Sequence, residues 1–258
     1  MRSYLLPCRI ALAFAAVASA SACTSTVGDA PSAEGASALG ARVTEVTGFG
    51  PNPGQLKMFE HVPPNLASKA PLLVVLHGCT QRAADIAQTG WNELADANGF
   101  VVVYPEQQTS NSPVRCFSWA APMGSPDDVT RGKGENESVR QMVRKATELH
   151  DVDPRRVFVA GFSAGAAMAS VLAATWPDVF AGAASFAGIP FDCAASFPDV
   201  SSCMNPGKDR TAADWGDRIR RAFPGYEGPW PRISIWQGST DSVVGPKNRA
   251  QLARQWTN

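Results

Sequence analysis

The chain has 258 residues, 45% of them hydrophobic, which is enough for one sizeable α/β domain and short for two. Lys plus Arg and Asp plus Glu both number 23, and no basic run interrupts that balance, so the composition argues against nucleic acid or any other polyanionic partner.

The N-terminus carries Arg2, a mostly apolar stretch over residues 10–18, and then small Ala and Ser residues up to Cys23. A basic start, a short apolar core and small residues at the cut form the pattern of a secretory signal, and the apolar stretch is too short to span a bilayer. Cleavage is expected after Ala20 or Ala22. The second site would expose Cys23 to lipidation, although Ala20-Ser21-Ala22-Cys23 lacks the Leu that usually opens a lipobox. The expected organisation is a signal peptide over 1–22, a flexible Ala-, Ser- and Gly-rich tether over 23–40, and a folded domain over 41–258. Export would place the domain in the extracellular or periplasmic space, free or tethered at Cys23.

Residues 42–46 and 56–62 read as two early strands separated by Gly-Pro-Asn-Pro-Gly turn chemistry, suggesting an antiparallel start. Residues 72–76 are continuously apolar, as a strand buried on both faces must be. A helix is expected over 83–98 from the spacing of Ile86, Trp91, Leu94 and Ala97, with Gly99 as its stop. A strand over 100–104 follows, then a polar loop, then a helix over 135–150 with Val139, Met142, Val143, Ala146 and Leu149 on one face. Further strands are expected over 157–160, 181–186 and 233–237, and further helices over 164–176, 212–223 and from 246 to 256. Residues 189–207 are too irregular to assign. Strands alternating with helices imply an α/β fold, a mostly parallel sheet with helices on both faces.

Of six cysteines, Cys8 and Cys23 precede the domain, leaving Cys79, Cys116, Cys193 and Cys203. In an oxidising compartment four cysteines allow three pairings. Cys193 with Cys203 is favoured because they share one loop, which leaves Cys79 with Cys116; a free, buried Cys79 is the alternative. No Cys-x-x-Cys or His-x-x-x-His spacing occurs, so no metal site is expected, and the chemistry below needs no cofactor.

The chemistry centres on Gly161-Phe162-Ser163-Ala164-Gly165, where a buried strand runs into Gly-x-Ser-x-Gly and then into a helix. A turn this tight requires both flanking positions to lack a side chain, and it holds the Ser in a strained, exposed pose. The N-terminus of the following helix stabilises developing negative charge. Acyl transfer also needs backbone donors aimed at the oxyanion of the tetrahedral intermediate. Ala164 would supply one, and Cys79 or Thr80 the other, because His77-Gly78 ends the preceding strand and Gly78 allows close approach. The acid that orients a catalytic His should follow a late strand, and Asp241, just beyond Ile233-Ser234-Ile235-Trp236-Gln237 and a Gly turn, is that acid. Trp119 and Ile189 are candidate pocket residues, equally readable as core.

The general base is the gap. The only histidines are His61, His77 and His150, all before Ser163. His150 belongs at the opposite end of the sheet, roughly 20 Å away at ~3.3 Å per strand residue. His61 lies in an early strand, and His77 is committed to the oxyanion loop.

His77-Gly78-Cys79-Thr80-Gln81, Cys116-Phe117-Ser118-Trp119, Gly161-Phe162-Ser163-Ala164-Gly165-Ala166-Ala167-Met168, Gly188-Ile189-Pro190 and Trp236-Gln237-Gly238-Ser239-Thr240-Asp241 occur in that order. Together they resemble the successive signatures of the polyhydroxybutyrate depolymerase and feruloyl or acetylxylan esterase family, over residues from about 45 to the end. The resemblance implies an α/β-hydrolase fold, Ser163 as nucleophile, Asp241 as acid, Cys79 in the oxyanion region, and carboxylic-ester substrates, often polymer-linked. In that family the catalytic His follows one more helix and strand, so the resemblance implies a truncated chain, with the last strand and catalytic-His loop missing. An inactive fragment, or a non-catalytic polyester- or carbohydrate-binding lipoprotein on the same scaffold, is the rival expectation. An acyltransferase would share the site and differ only in what deacylates the enzyme.

Overall fold

The computed structural model describes residues 43–258. The signal peptide, the tether and the lipidation at Cys23 expected from the sequence lie outside the described residues. The strands are β1 (Thr44–Val46), β2 (Lys57–His61), β3 (Ala70–Leu76), β4 (Val101–Glu106), β5 (Val152–Phe162), β6 (Gly182–Phe186) and β7 (Arg232–Trp236), and the apolar runs expected as strands lie in β3, β4 and β5. They make one sheet in the order β1-β2-β4-β3-β5-β6-β7. The expected antiparallel start is present, since β1 pairs with β2 and β2 with β4 in that sense, and the remaining pairs are parallel.

The helices are α1 (Ala83–Ala87), α2 (Trp91–Asn98), α3 (Gly134–His150), α4 (Ala164–Thr175), α5 (Phe197–Met204), α6 (Ala212–Ala222) and α7 (Lys247–Trp256). The single helix expected over 83–98 is two, because Gly90 takes a left-handed φ of 96° and turns the chain between them. The unassigned stretch contains α5, which Ser196 opens by exchanging hydrogen bonds with Asp199. β5 is longer than its apolar run, with register irregularity near Ala70 and Leu72 of β3.

Period-two alternation divides the core between the two faces of the sheet. Leu72, Val74 and Leu76 point toward Val139, Met142 and Val143 of α3 and Met168, Val171 and Leu172 of α4, in a cluster that also takes in Trp215 and Ile219 of α6. Val75, Val102, Tyr104 and Ala160 point the other way, against Ala83, Ile86 and Ala87 of α1 and Ala95 of α2. Helices therefore lie on both faces. On the second face α1 and α2 leave the β5–β7 half open, where Phe158, Phe162 and Trp236 are 38%, 44% and 60% exposed. A groove of about 910 Å³ runs there, lined by Trp91, Phe158, Tyr226 and Trp230 among others. Two disulfides, Cys79–Cys116 and Cys193–Cys203, follow the favoured pairing.

Candidate active site

Ser163 sits between the last residue of β5 and the first of α4, with φ 55° and ψ −120°. A non-glycine residue reaches that region only where its surroundings force it there. The forcing contacts are visible at the two flanking glycines. A side chain on Gly161 would overlap the Gly165 carbonyl, and one on Gly165 would overlap the carbonyls of Leu76 and His77 at the end of β3. The turn is thus clamped between its own helix and the neighbouring strand. The Ser163 N–H extends the sheet ladder to the Phe186 carbonyl (2.9 Å), and its carbonyl accepts from Ala166 (2.9 Å) and Ala167 (3.0 Å), so the backbone is fixed on both sides of a half-buried side chain.

Register brings the other groups to the same edge. Phe162, Phe186 and Trp236 are aligned across β5, β6 and β7, so the turns that follow them emerge side by side. Two strand spacings, about 10 Å, separate the start of the Ser163 turn from the start of the Asp241 loop. One imidazole with a hydrogen bond of about 2.8 Å at each nitrogen spans a gap of that order. The Asp241 carboxylate is already held in place: Oδ1 accepts the N–H groups of Val243 and Val244 (both 2.9 Å), and Oδ2 accepts Gln237 Nε2 (3.1 Å).

Of the expected oxyanion donors, Ala164 occupies the first position of α4, and its N–H donates to no group among the described residues. Thr80 departs from expectation. Its N–H donates to the Val114 carbonyl (2.6 Å) and its hydroxyl to the Cys79 carbonyl (2.6 Å), so neither is free for an oxyanion. Cys79, half-buried and disulfide-bonded to Cys116, keeps an N–H with no acceptor among the described residues. Trp119 and Ile189 resolve in favour of core: they are 4% and 2% exposed, inside the larger cluster. The open cavity beside the elbow, about 510 Å³, is lined instead by Gln81, Ile86, Thr89, Trp91, Phe162 and Phe186, together with Val75 and Gly161.

None of the three histidines faces Ser163. His61 pairs with Val102 near the start of β4, at the sheet edge opposite the Ser163 turn, and its Nε2 lies 2.8 Å from Asp96 Oδ1. His150 ends α3, with the whole of β5 between it and Ser163, and meets Glu60 Oε2 at 2.9 Å. His77 is fully buried. Its Nδ1 donates to the Gly78 carbonyl (2.7 Å) and its Nε2 accepts the Gln107 N–H (3.1 Å), which fixes one neutral tautomer. Burial, chiefly, lowers its pKa and keeps it uncharged. Both nitrogens are engaged, so this ring is structural.

The sequence reading missed Glu135, 2% exposed in the first turn of α3. Desolvation pushes its carboxyl up to about 7, against the hydrogen bonds from Ser118 and Gln107. An acid opening a helix looks like ordinary compensation of the helix dipole, and only its three-dimensional neighbours mark it out.

Comparison with known proteins agrees with this arrangement. The family described as esterase PHB depolymerase matches residues 57–258. Poly(3-hydroxyalkanoate) depolymerase C of Paucimonas lemoignei is 50% identical over 216 residues, covering 84% of this chain and 51% of that protein. Acetylxylan esterase of Coprinopsis cinerea is 37% identical, covering 84% and 58% respectively. The chain thus spans little more than half the length of these relatives. The solved acetyl xylan esterase from Aspergillus awamori superposes with a TM-score of 0.76 at 31% identity, over 83% of this chain and 78% of that one. With a glycine-clamped strand–turn–helix at Ser163 on a mostly parallel α/β-hydrolase sheet and a family match over residues 57–258, the chain belongs to the PHB-depolymerase esterase family.

Proposed function

We propose that this chain is the core of an exported serine esterase that cleaves carboxylic esters, including polymer-linked ones, through an acyl-enzyme on Ser163. The observation that carries the reading is the Ser163 conformation, φ 55° and ψ −120°, clamped by two glycines at the head of α4. In the proposed reaction Ser163 Oγ attacks the ester carbonyl and gives its proton to a base. The oxyanion takes hydrogen bonds from the Ala164 and Cys79 N–H groups. The base returns the proton to the leaving alcohol, and water then hydrolyses the acyl-enzyme. Asp241 orients the base and stabilises its charge. The base itself is a group that residues 43–258 do not supply.

Two disulfides support export, since such bonds persist in oxidising compartments. In this account residues 1–22 are the signal, 23–40 the tether and 41–258 the catalytic domain, with Cys23 as a lipid anchor if cleavage precedes it. The relatives named for polyester and acetylxylan substrates support a polymeric ester as the physiological one.

The reading is tested by release of p-nitrophenol from p-nitrophenyl acetate, with imidazole added to stand in for the base and Ser163→Ala as the control. Imidazole hydrolyses this ester unaided, so the quantity of interest is the difference between the two proteins. Wild type is expected to exceed Ser163→Ala by at least about tenfold at saturating imidazole. Equal rates would favour the second reading, a protein that binds ester polymers without cleaving them. The engagement of His61, His77 and His150 elsewhere is the observation in favour of that rival.

A further inference from the structure

Glu135 is a buried carboxylate that the proposed reaction does not use, and it lies at the root of a polar chain ending in the oxyanion loop. Its Oε1 accepts Gln107 Nε2 (2.5 Å) and Ser118 Oγ (2.9 Å), and its Oε2 accepts the Ser118 N–H (3.0 Å). Gln107, itself fully buried, reaches onward by two routes. Its backbone N–H donates to His77 Nε2 (3.1 Å), and His77 Nδ1 donates to the Gly78 carbonyl (2.7 Å). Its side-chain Nε2 also meets the Cys116 carbonyl (3.3 Å), and Cys116 is bonded to Cys79. Phe117 packs on the His77 ring at 4.8 Å between centroids, so the two routes touch. A partly satisfied network of this kind would be costly, and here every donor pointing at the carboxylate has an acceptor.

We propose that Glu135 is a positioning residue for the oxyanion loop: through Gln107 and His77 on one side, and Ser118 and Cys116 on the other, it fixes where the Cys79 N–H points. The proposal rests on reading Cys79 and Ser163 as parts of one acyl-transfer site. Nothing in the chain of contacts requires the carboxylate to approach substrate. Its effect is geometric, because a peptide held at Gly78 by His77 and at Cys79 by the disulfide has little freedom to turn its N–H away. Gln81 closes the loop from the other end, its Oε1 accepting the Gly78 N–H (2.7 Å). Without Glu135, Gln107 and the Ser118 N–H would each lose a buried acceptor, and the loop would relax toward other partners.

Amide hydrogen exchange, read peptide by peptide on the protein as it stands, tests this. In Glu135→Ala, residues 77–81 should exchange about tenfold faster than in wild type, while residues 247–256 of α7, which lie outside the network, stay unchanged. Glu135→Gln keeps the volume and one acceptor and should fall between, about threefold faster. That variant also carries the test if the alanine protein does not fold. Wild-type exchange over 77–81 in Glu135→Gln would overturn the proposal. So would loosening of 116–119 alone in Glu135→Ala, or an equal acceleration of all peptides, the mark of a merely structural residue. Exchange is read without turnover, so a Ser163 that is silent in the ester assay would sink the esterase reading separately.

Discussion

At the scale of single residues, charge and burial decide what each group can do. Glu135 is the clearest case, because its ordinary pKa near 4.5 rises to about 7 in the fold, chiefly through desolvation, with the nearby Asp128 carboxylate adding to the rise. An acid whose folded pKa exceeds its unfolded one binds its proton more tightly in the native state. The resulting stability is fully present below about 4.5 and is lost as pH rises through about 7. The melting temperature of wild type should therefore fall across that window relative to Glu135→Gln, which has no proton to lose. Parallel profiles for the two proteins would show that Glu135 does not titrate there. His77 shows the complementary lesson. The sequence placed it in the loop that closes β3, and the structure holds it there by two hydrogen bonds and a neutral ring. Thr80 was indistinguishable from Cys79 in the sequence, because which of two adjacent N–H groups meets Val114 depends on a loop more than thirty residues away.

At the scale of elements, the turn at Ser163 is first of all a packing device. Gly161 and Gly165 are the points where α4, β5 and the end of β3 approach too closely for any side chain. Gly161→Ala or Gly165→Ala should each cost about 3 kcal/mol or more in urea unfolding, since the atoms in the way are backbone and cannot swing aside. Gly238, where an added Cβ would come no nearer than 3.7 Å to Asp241, provides the contrast. Gly238→Ala should change stability by under about 0.5 kcal/mol. Equal effects at the three sites would contradict the account of the turn. Most elements were legible because their signals are local: continuous apolar strands, an α3 whose Val139, Met142, Val143 and Ala146 face the core while Leu149, 50% exposed, does not, and Gly-x-Ser-x-Gly between a strand and a helix. Two were not. The break between α1 and α2 depends on the left-handed Gly90 inside a pattern that still scans as helical, and α5 is a short helix among Pro, Cys and Ser whose cap is its main signal.

At the scale of the whole molecule, one sheet edge gathers the groups that the proposed reaction takes from these residues, and the opposite edge holds His61 and His150. Order along the chain made the Ser163 and Asp241 loops predictable, because parallel strands in an open sheet deliver their C-terminal turns to one side. Trp119 and Ile189 were harder, since a buried aromatic and a pocket aromatic look alike in sequence and only packing separates them. The central claim is that Ser163 is a nucleophile poised beside two backbone donors. Its most direct test is mass spectrometry of the intact protein and its peptides after treatment with a fluorophosphonate in the presence of imidazole as the base, a reagent that phosphonylates a serine only where a base activates it and an oxyanion site supports the attack. The account predicts a single adduct on the peptide containing Ser163 and none in Ser163→Ala. No adduct on wild type, or the same adduct on both proteins, would contradict it.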